Sequence, residues 1–488
     1  MGKKIFWACF LTIILSVSFV TIWKIEHADH PSESEDKDTQ LWMSPLIFPV
    51  ILAALLIVGI WVLGMKKGIL RFLFQAADIF LYLNMYFLVM LILLPFFRRH
   101  ISARACAALW LVPAFLFYQV SMLNGDSHLP FRIITLPGGL MEAGLFLWFS
   151  GFVVVLVFQI LSHLLFRRRL LTYSREIQEE RVKEIWQEER EGVNYTKPVR
   201  LCWCDMIHTP LSMGIGKKSR VTLLPEKSYT DRELSFIFRH ELYHLKRCDV
   251  ETKIFLGVCK AFCWFDPLVW IAMKKASDDL ELSCDEIVLR NAGTDERREY
   301  AGLLLETAGS SRGYTTCLSA AASSLRYRMR AVLHPGKRYM GVLVIAAAMF
   351  ISCFLHGTLL LAGQKKPMAE ALEHIGITAE DITFMSCDIL AADPEETGKG
   401  EEESMTKEFC EDELFAYISS IGAEQLYTAR EFSSDGRDGL YLYSEDKDAG
   451  IFMDDTIMIL FSYGQNIEEY YRVCSDINWA YVKDFFAV

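Results

Sequence analysis

Long apolar blocks alternate with polar stretches along the chain. Six blocks, residues 5–23, 45–63, 79–97, 106–120, 145–166 and 339–362, approach the length that crosses about 30 Å of hydrocarbon. The fourth is the shortest and is interrupted by Pro113. Between the fifth and sixth blocks the pattern changes. A polar helix is predicted over 175–190, strand-like runs over 199–205 and 220–225, and a helical period to about 333, broken at 265–267 and 291–293. After the sixth block, helical and alternating runs such as 405–421 and 449–463 predict a small α+β domain of about 120 residues. No internal repeat is found.

Composition agrees with this division. With 52% hydrophobic residues and a mean hydropathy of +0.23, the 488-residue chain is too apolar for an ordinary soluble enzyme. Charge is segregated. Residues 364–488 carry 9 Lys and Arg against 28 Asp and Glu, a net of −19, which leaves +8 for the rest. Basic clusters at 166–175 and 334–339 flank the central region, so 167–338 is expected in the cytoplasm and the acidic tail outside. Counting spans backwards then puts the Met1–Lys4 end and Gly64–Gly68 outside and the acidic stretch 32–38 inside, against the positive-inside tendency. No small-x-small site follows the first block, so it is expected to stay as an anchor. Thirteen cysteines include no CxxC pair, and Cys202 and Cys204 read as alternating strand positions, not a zinc knuckle.

The central region carries the chemistry. In "HELYH", His240 and His244 lie one helical turn apart on one face, with Glu241 beside them. Zinc suits imidazole and carboxylate donors and keeps a position for water, whose proton a nearby carboxylate can take. Chance produces such a string in about 1% of chains this long, but Phe236, Ile237 and Leu245 make this a core helix, where idle polar groups are costly. A third ligand is required. The helical run 277–292 places Glu281 and Asp285 on one face. Glu281 is the candidate ligand, and Asp285, together with Asp249, a partner for a histidine N–H. Asp278, Asp279 and Glu286 read as a solvated acidic face. The basic run 326–330 reads as a membrane-surface helix, and no direct nucleic-acid binding is expected. "GIGKKS" at 214–219 fails as a P-loop, lacking Ser or Thr after Gly-Lys.

Together, "TPLSMGI" (209–215), "VTLLP" (221–225), "HELYHLKRCD" (240–249), "CWFDPLVW" (263–270), "ELSCDEIVL" (281–289) and "YAGLLL" (300–305) resemble the BlaR/MecR-type antirepressor membrane zinc metallopeptidases. The resemblance covers roughly 97–361. The spacing of Glu281 and Asp285 is also similar to that of HtpX-type membrane proteases, whose glutamate is the third zinc ligand. The resemblance implies a polytopic α-helical membrane protein of the bacterial cell membrane, with an inserted α+β gluzincin-like zinc metalloprotease domain and a small C-terminal α+β extracytoplasmic domain. The expected division is additional N-terminal segments at 1–76, membrane helices at 77–166, the cytoplasmic peptidase at 167–338, the last span at 339–363 and a sensor-like domain at 364–488.

In that reading His240, His244 and Glu281 hold Zn2+ and Glu241 is the general base. Val221, Thr222, Leu223 and Leu224 border the substrate cleft. The partners implied are the lipid bilayer, an unidentified extracytoplasmic ligand and a cytoplasmic protein substrate, either a DNA-binding repressor or the chain itself. A quality-control protease and a non-enzymatic receptor on a protease scaffold are the alternatives. Antibiotic-sensing members end in a penicillin-binding-like domain with a Ser-x-x-Lys nucleophile. Here the tail is about half the size such a domain needs, and its one match, Ser444 to Lys447, has no companion Lys-Thr-Gly.

Overall fold

The computed structural model describes residues 2–27, 39–41, 43–115, 132–135, 138–214, 219–309, 317–336, 338–355, 359–390, 402–426, 439–455, 457–464 and 467–486. The acidic stretch 32–38, residues 116–120 of the fourth apolar block and 215–218 of "GIGKKS" lie outside the described residues.

Apolar runs fold as helices because a helix satisfies its own backbone donors and acceptors where water cannot. The blocks give α1 (Gly2–Glu26), α2 (Ile47–Leu63), α3 (Met65–His100), α5 (Gly138–Thr172) and α12 (Val342–Leu355). Three of them, α1, α3 and α5, are long and apolar enough to cross a membrane, while α2 and α12 are shorter apolar helices. The fourth block departs from expectation. Among the described residues it makes only α4 (Ala103–Leu109) and a 3-10 turn at Val112–Phe115, both buried, as Pro113 cannot donate to a continuing helix.

The helices shuttle between two ends. Beyond α1, Thr39 N–H donates to the Lys246 carbonyl at 2.9 Å, so the chain after α1 lies against the central domain. The left-handed Gly64 (φ 77°) then reverses the chain between α2 and α3. These helices touch at Gly59 and Gly68, where a Cβ on Gly68 would come within 2.4 Å of the Gly59 carbonyl oxygen. α3 returns to the central domain, and Arg98 near its end pairs with Asp279 at 2.8 Å.

The central domain holds a four-stranded mixed sheet of β2 (Ser174–Glu176), β3 (Arg200–Cys204), β4 (Leu211–Met213) and β5 (Val221–Leu224), in the order β2-β3-β5-β4. Cys202 and Cys204 face one apolar cluster while Leu201 and Trp203 face another, so β3 alternates as expected but is covered on both sides. The polar helix starts later than predicted, as α6 (Glu180–Val193), because Arg175 and Glu176 pair with β3.

Five helices follow: α7 (Asp231–Lys246), α8 (Asp249–Phe262), α9 (Pro267–Val288), α10 (Thr294–Gly309) and α11 (Cys317–Leu333). The α8–α9 hairpin is not separate from the membrane helices. Phe255, Phe262, Val269 and Met273 share one apolar cluster with α1, α2, α3 and α5. Trp148 of α5 donates to the Phe262 carbonyl at 2.7 Å, and Trp264 donates back to the Trp148 carbonyl at 3.2 Å.

Beyond α12 lies a ten-stranded sheet. It contains β6 (Leu359–Ala362), β7 (Lys366–Pro367), β8 (Phe384–Leu390), β9 (Glu402–Lys407), β10 (Gly422–Leu426), β11 (Gly439–Ser444), β12 (Ala449–Asp454), β13 (Ile457–Ser462) and β14 (Ile467–Val473). The tenth strand, β1 (Arg132–Thr135), comes from the segment just before α5 and pairs in parallel with β6. The helices α13 (Met368–Ile375) and α14 (Asp412–Ser420) close one face of this sheet over Met385, Leu442, Ile451 and Leu460.

Candidate metal centre

α7 is anchored at its start and bent sharply at its end. Thr230 accepts the Glu233 N–H at 3.2 Å while Glu233 accepts the Thr230 N–H at 2.7 Å, a reciprocal cap on the first turn. Its apolar face, with Leu234, Phe238, Leu242 and Leu245, is buried against α6 and the sheet. At the far end Cys248 adopts a left-handed conformation (φ 55°), and α8 begins at the next residue. This turn brings Asp249 back against His244.

The metal-facing atoms converge. His240 Nε2 and His244 Nε2 are 3.1 Å apart, and Glu281 Oε2 lies 3.5 and 3.6 Å from them. Donors about 2.0–2.2 Å from a tetrahedral zinc lie roughly 3.3 Å from one another, so this triangle fits the ion. The other ring nitrogens are held. His244 Nδ1 donates to Asp249 Oδ2 at 2.7 Å. His240 Nδ1 donates to Tyr300 Oη at 3.1 Å, which donates to Asp285 Oδ1 at 2.6 Å. With Nδ1 engaged in each ring, both imidazoles turn Nε2 toward Glu281, which is the nitrogen left for a metal. Glu241 is buried on the same turn of α7.

The surrounding cations keep the Glu281 carboxylate ionised. Burial alone would raise the Glu281 carboxyl, but Lys253 and His244 hold it well below the usual carboxylate range. Lys253 Nζ bonds Glu281 Oε1 at 3.0 Å, while Oε2 is approached by both histidines and by Arg328 Nη1 at 3.5 Å. Burial disfavours charge on His244, yet Cys284, Glu281 and Asp249 outweigh it and raise its imidazole well above the ordinary range. Asp285 is likewise lowered against its burial by Arg328, which grips it with two bonds of 2.7 Å.

The structure thus gathers His240, His244 and Glu281, with Asp249 and Asp285 behind the histidines. Three sequence expectations are corrected. Val221, Thr222, Leu223 and Leu224 form no cleft edge, because β5 is paired with β3 on one side and β4 on the other. The outer strand is β4, from Leu211 to Met213.

Asp278, Asp279 and Glu286 are not a solvated face. Asp279 is fully buried and accepts from Arg98 at 2.8 Å, Trp110 at 2.8 Å and Tyr327 at 3.1 Å. Asp278 is buried and takes the Ser324 hydroxyl, while Glu286 accepts the Ala103 N–H. The basic run 326–330 does not face a membrane surface with all its cations, since Tyr327 and Arg328 turn inward onto α9.

Sequence reasoning also missed Tyr300, Lys253 and Arg328, whose helices are remote in sequence from α7. The helical period of 317–333 was the available signal for Arg328, since it sets Ser324, Tyr327 and Arg328 on one face. The Ser-x-x-Lys match has no catalytic geometry: Ser444 is fully buried and Lys447 pairs with Asp381 at 2.6 Å.

A buried ion-pair cluster lies behind the site. Arg247, next after α7, holds both oxygens of Glu26 at 2.8 and 2.7 Å, and Arg104 approaches Glu26 at 3.3 Å. Arg247 also donates to Ser283 Oγ at 3.0 Å on α9. The end of α1 is in this way tied to the two helices that carry the converging side chains.

Comparison with known proteins agrees with this geometry. Residues 137–332 match the family model of the BlaR1 peptidase M56. The chain is 27% identical over 139 residues to the regulatory protein BlaR1 of Bacillus licheniformis, covering 28% of this chain and 23% of that one. Against BlaR1 of Staphylococcus aureus the identity is 27% over 158 residues, 32% of this chain and 26% of the relative. The methicillin resistance mecR1 protein of S. aureus strain Mu50 is 29% identical over 114 residues, 23% and 19% of the two chains. These are matches to about a quarter or less of the relatives' lengths. Over residues 137–332 the chain is thus similar to the peptidase domain of BlaR/MecR-type proteins, and it carries three helices long and apolar enough to cross a membrane.

Proposed function

We propose that this chain is a membrane zinc endopeptidase of gluzincin type that converts a signal received by its C-terminal domain into peptide-bond cleavage at the His240–His244–Glu281 site. The observation that carries the reading is the triangle of two Nε2 atoms and one carboxylate oxygen, each histidine backed by its own hydrogen-bonded carboxylate. Bound there, zinc would polarise the scissile carbonyl and lower the pKa of a water to about 7. Glu241, buried beside these ligands, would be the group to accept a proton from the attacking water and return it to the leaving amine. Asp249 and Asp285 keep both imidazoles in the ligating tautomer. Among the described residues β4 (Leu211–Met213) is an outer strand, and its unpaired edge is the place for an extended substrate to add as a strand.

The peptidase domain works in the cytoplasm and residues 364–488 lie outside, in keeping with the basic flanks of the first and the acidic excess of the second. Substrates are a repressor protein, as the relatives' regulatory names suggest, and the chain itself.

The test compares wild type with Glu241→Gln in nanodiscs. About one zinc per chain in both, with cleavage only in wild type, is the expected result. Absence of zinc from both removes the metal site, and equal cleavage by both removes the assigned base.

A further inference from the structure

A solvent-facing side of an antiparallel sheet is ordinarily polar, so that each strand alternates apolar inside and polar outside. The C-terminal sheet breaks this rule. Along β11, β12 and β13 every inward residue is buried, and the outward ones between them include Tyr441, Tyr443, Phe452 and Phe461. Phe384 of the neighbouring β8 is 39% exposed and Tyr463 just past β13 is 71% exposed.

The rings are organised. Tyr441, Tyr443 and Phe461 stack pairwise with centres 6.0–6.3 Å apart and planes within 19° of parallel. Tyr463 continues from Phe461 at 5.4 Å, and Phe384 from Tyr441 at 6.3 Å. Gly450 sits between Tyr443 and Phe461 in register, and a Cβ there would come within 2.6 Å of the Phe461 ring, so its lack of a side chain lets that ring lie across the strand.

Carboxylates flank this cluster of rings. Glu445, Asp446 and Asp448 stand exposed in the turn after Tyr443, and Glu468 lies exposed opposite Phe461. The ammonium of Lys447, in the same turn, is drawn to Asp381.

We propose that this aromatic face is the receptor surface for a cationic amphipathic peptide, and that such a peptide is the signal the C-terminal domain receives. The proposal rests on the sensor-protease reading above for its consequence, though not for the binding itself. Charge selects the occupant: residues 364–488 carry a net −19, which repels nucleic acid, anionic lipid and other polyanions. Ring faces attract ammonium and guanidinium groups while offering area to apolar side chains.

The experiment uses the full chain in nanodiscs of neutral phosphatidylcholine. The probe is a dye-labelled 12-residue peptide alternating Lys and Leu, followed by fluorescence anisotropy. Saturable binding is expected, weakened about tenfold or more by Tyr441→Ser with Phe461→Ser. A charge variant, Asp446→Lys with Glu468→Lys, leaves the rings in place and is expected to weaken binding similarly, as is raising salt from about 0.05 to 0.5 M. Glu241→Gln is expected to bind as wild type does, so failure of the protease reading and failure of this one are separate results. The proposal is overturned if both surface variants bind like wild type, if a Glu–Leu peptide binds as well, or if a neutral chito-oligosaccharide displaces the peptide.

Discussion

Asp249 decides how well His244 can serve a metal. Its 2.7 Å bond to Nδ1 fixes the ring and depends on the left-handed turn at Cys248. Asp249→Asn is expected to lower zinc affinity about 10- to 100-fold while leaving the fold intact, measured by competition with a chromogenic chelator. Affinity also depends on pH with a definite sign. The raised His244 imidazole keeps a proton near neutrality in the metal-free chain, whereas Glu281 is already ionised. Zinc must displace that proton, so affinity falls as pH falls, by about tenfold per unit for one proton. Calorimetry in two buffers of different ionisation enthalpy at pH 7 is expected to register the released proton, and identical heats would contradict the raised imidazole. The convergence of His240 and His244 was legible in the sequence because a one-turn spacing is local information. Tyr300, Lys253 and Arg328 were not, since nothing in their own segments states which helix they will face.

At the scale of elements, what escaped the sequence reading was neighbourhood. β5 was recognisable as a strand from its apolar run, but a buried run says nothing of which partners flank it, and β4, only three residues long, is too short to announce itself. The same holds for α9. Its acidic positions look solvated until α3, α4 and α11 are placed around it, with Arg98, Trp110 and Tyr327 on Asp279. α1 supplies the clearest test of an element's role. It lies outside the residues matched by the peptidase family, yet Glu26 reaches a fully buried pair with Arg247. Removing one member of such a pair leaves the other charged without a partner, which costs about 3–5 kcal/mol. Glu26→Gln is therefore expected to lower the thermal midpoint in nanodiscs and to speed proteolysis of the α7–α8 turn. Arg247→Met combined with Glu26→Gln is expected to recover part of that loss, as only Arg104 of the three charges then remains. If Glu26→Gln unfolds at the wild-type temperature, α1 is not clamped to the peptidase helices in the membrane.

At the scale of the whole molecule, the chain's two flanking helices give the arrangement a direction. α5 enters the peptidase domain and α12 leaves it, and their far ends carry β1 and β6, paired in register from Arg132–Leu359 to Thr135–Ala362. The peptidase domain and the C-terminal sheet are thus at opposite ends of the same two apolar helices, although no local pattern in 132–135 identified it as a strand of a distant sheet. Sidedness then becomes a single measurement. Arg298 on α10 pairs only at the surface, with its side chain 72% exposed, and Tyr463 is 71% exposed beside the C-terminal sheet, so a cysteine at either is accessible without disturbing packing. Of the cysteines whose side chains the structure describes, all are buried except Cys9, within the apolar α1, and the half-buried Cys474, and wild type supplies the background. In intact cells a membrane-impermeant maleimide is expected to label Tyr463→Cys well above wild type and to leave Arg298→Cys unlabelled until the cells are permeabilised. The reverse pattern would put the zinc site outside and exclude a cytoplasmic repressor as substrate. Labelling of both in intact cells would mean that α5 and α12 do not separate the two domains across the bilayer, and the transduction reading would lose its physical basis.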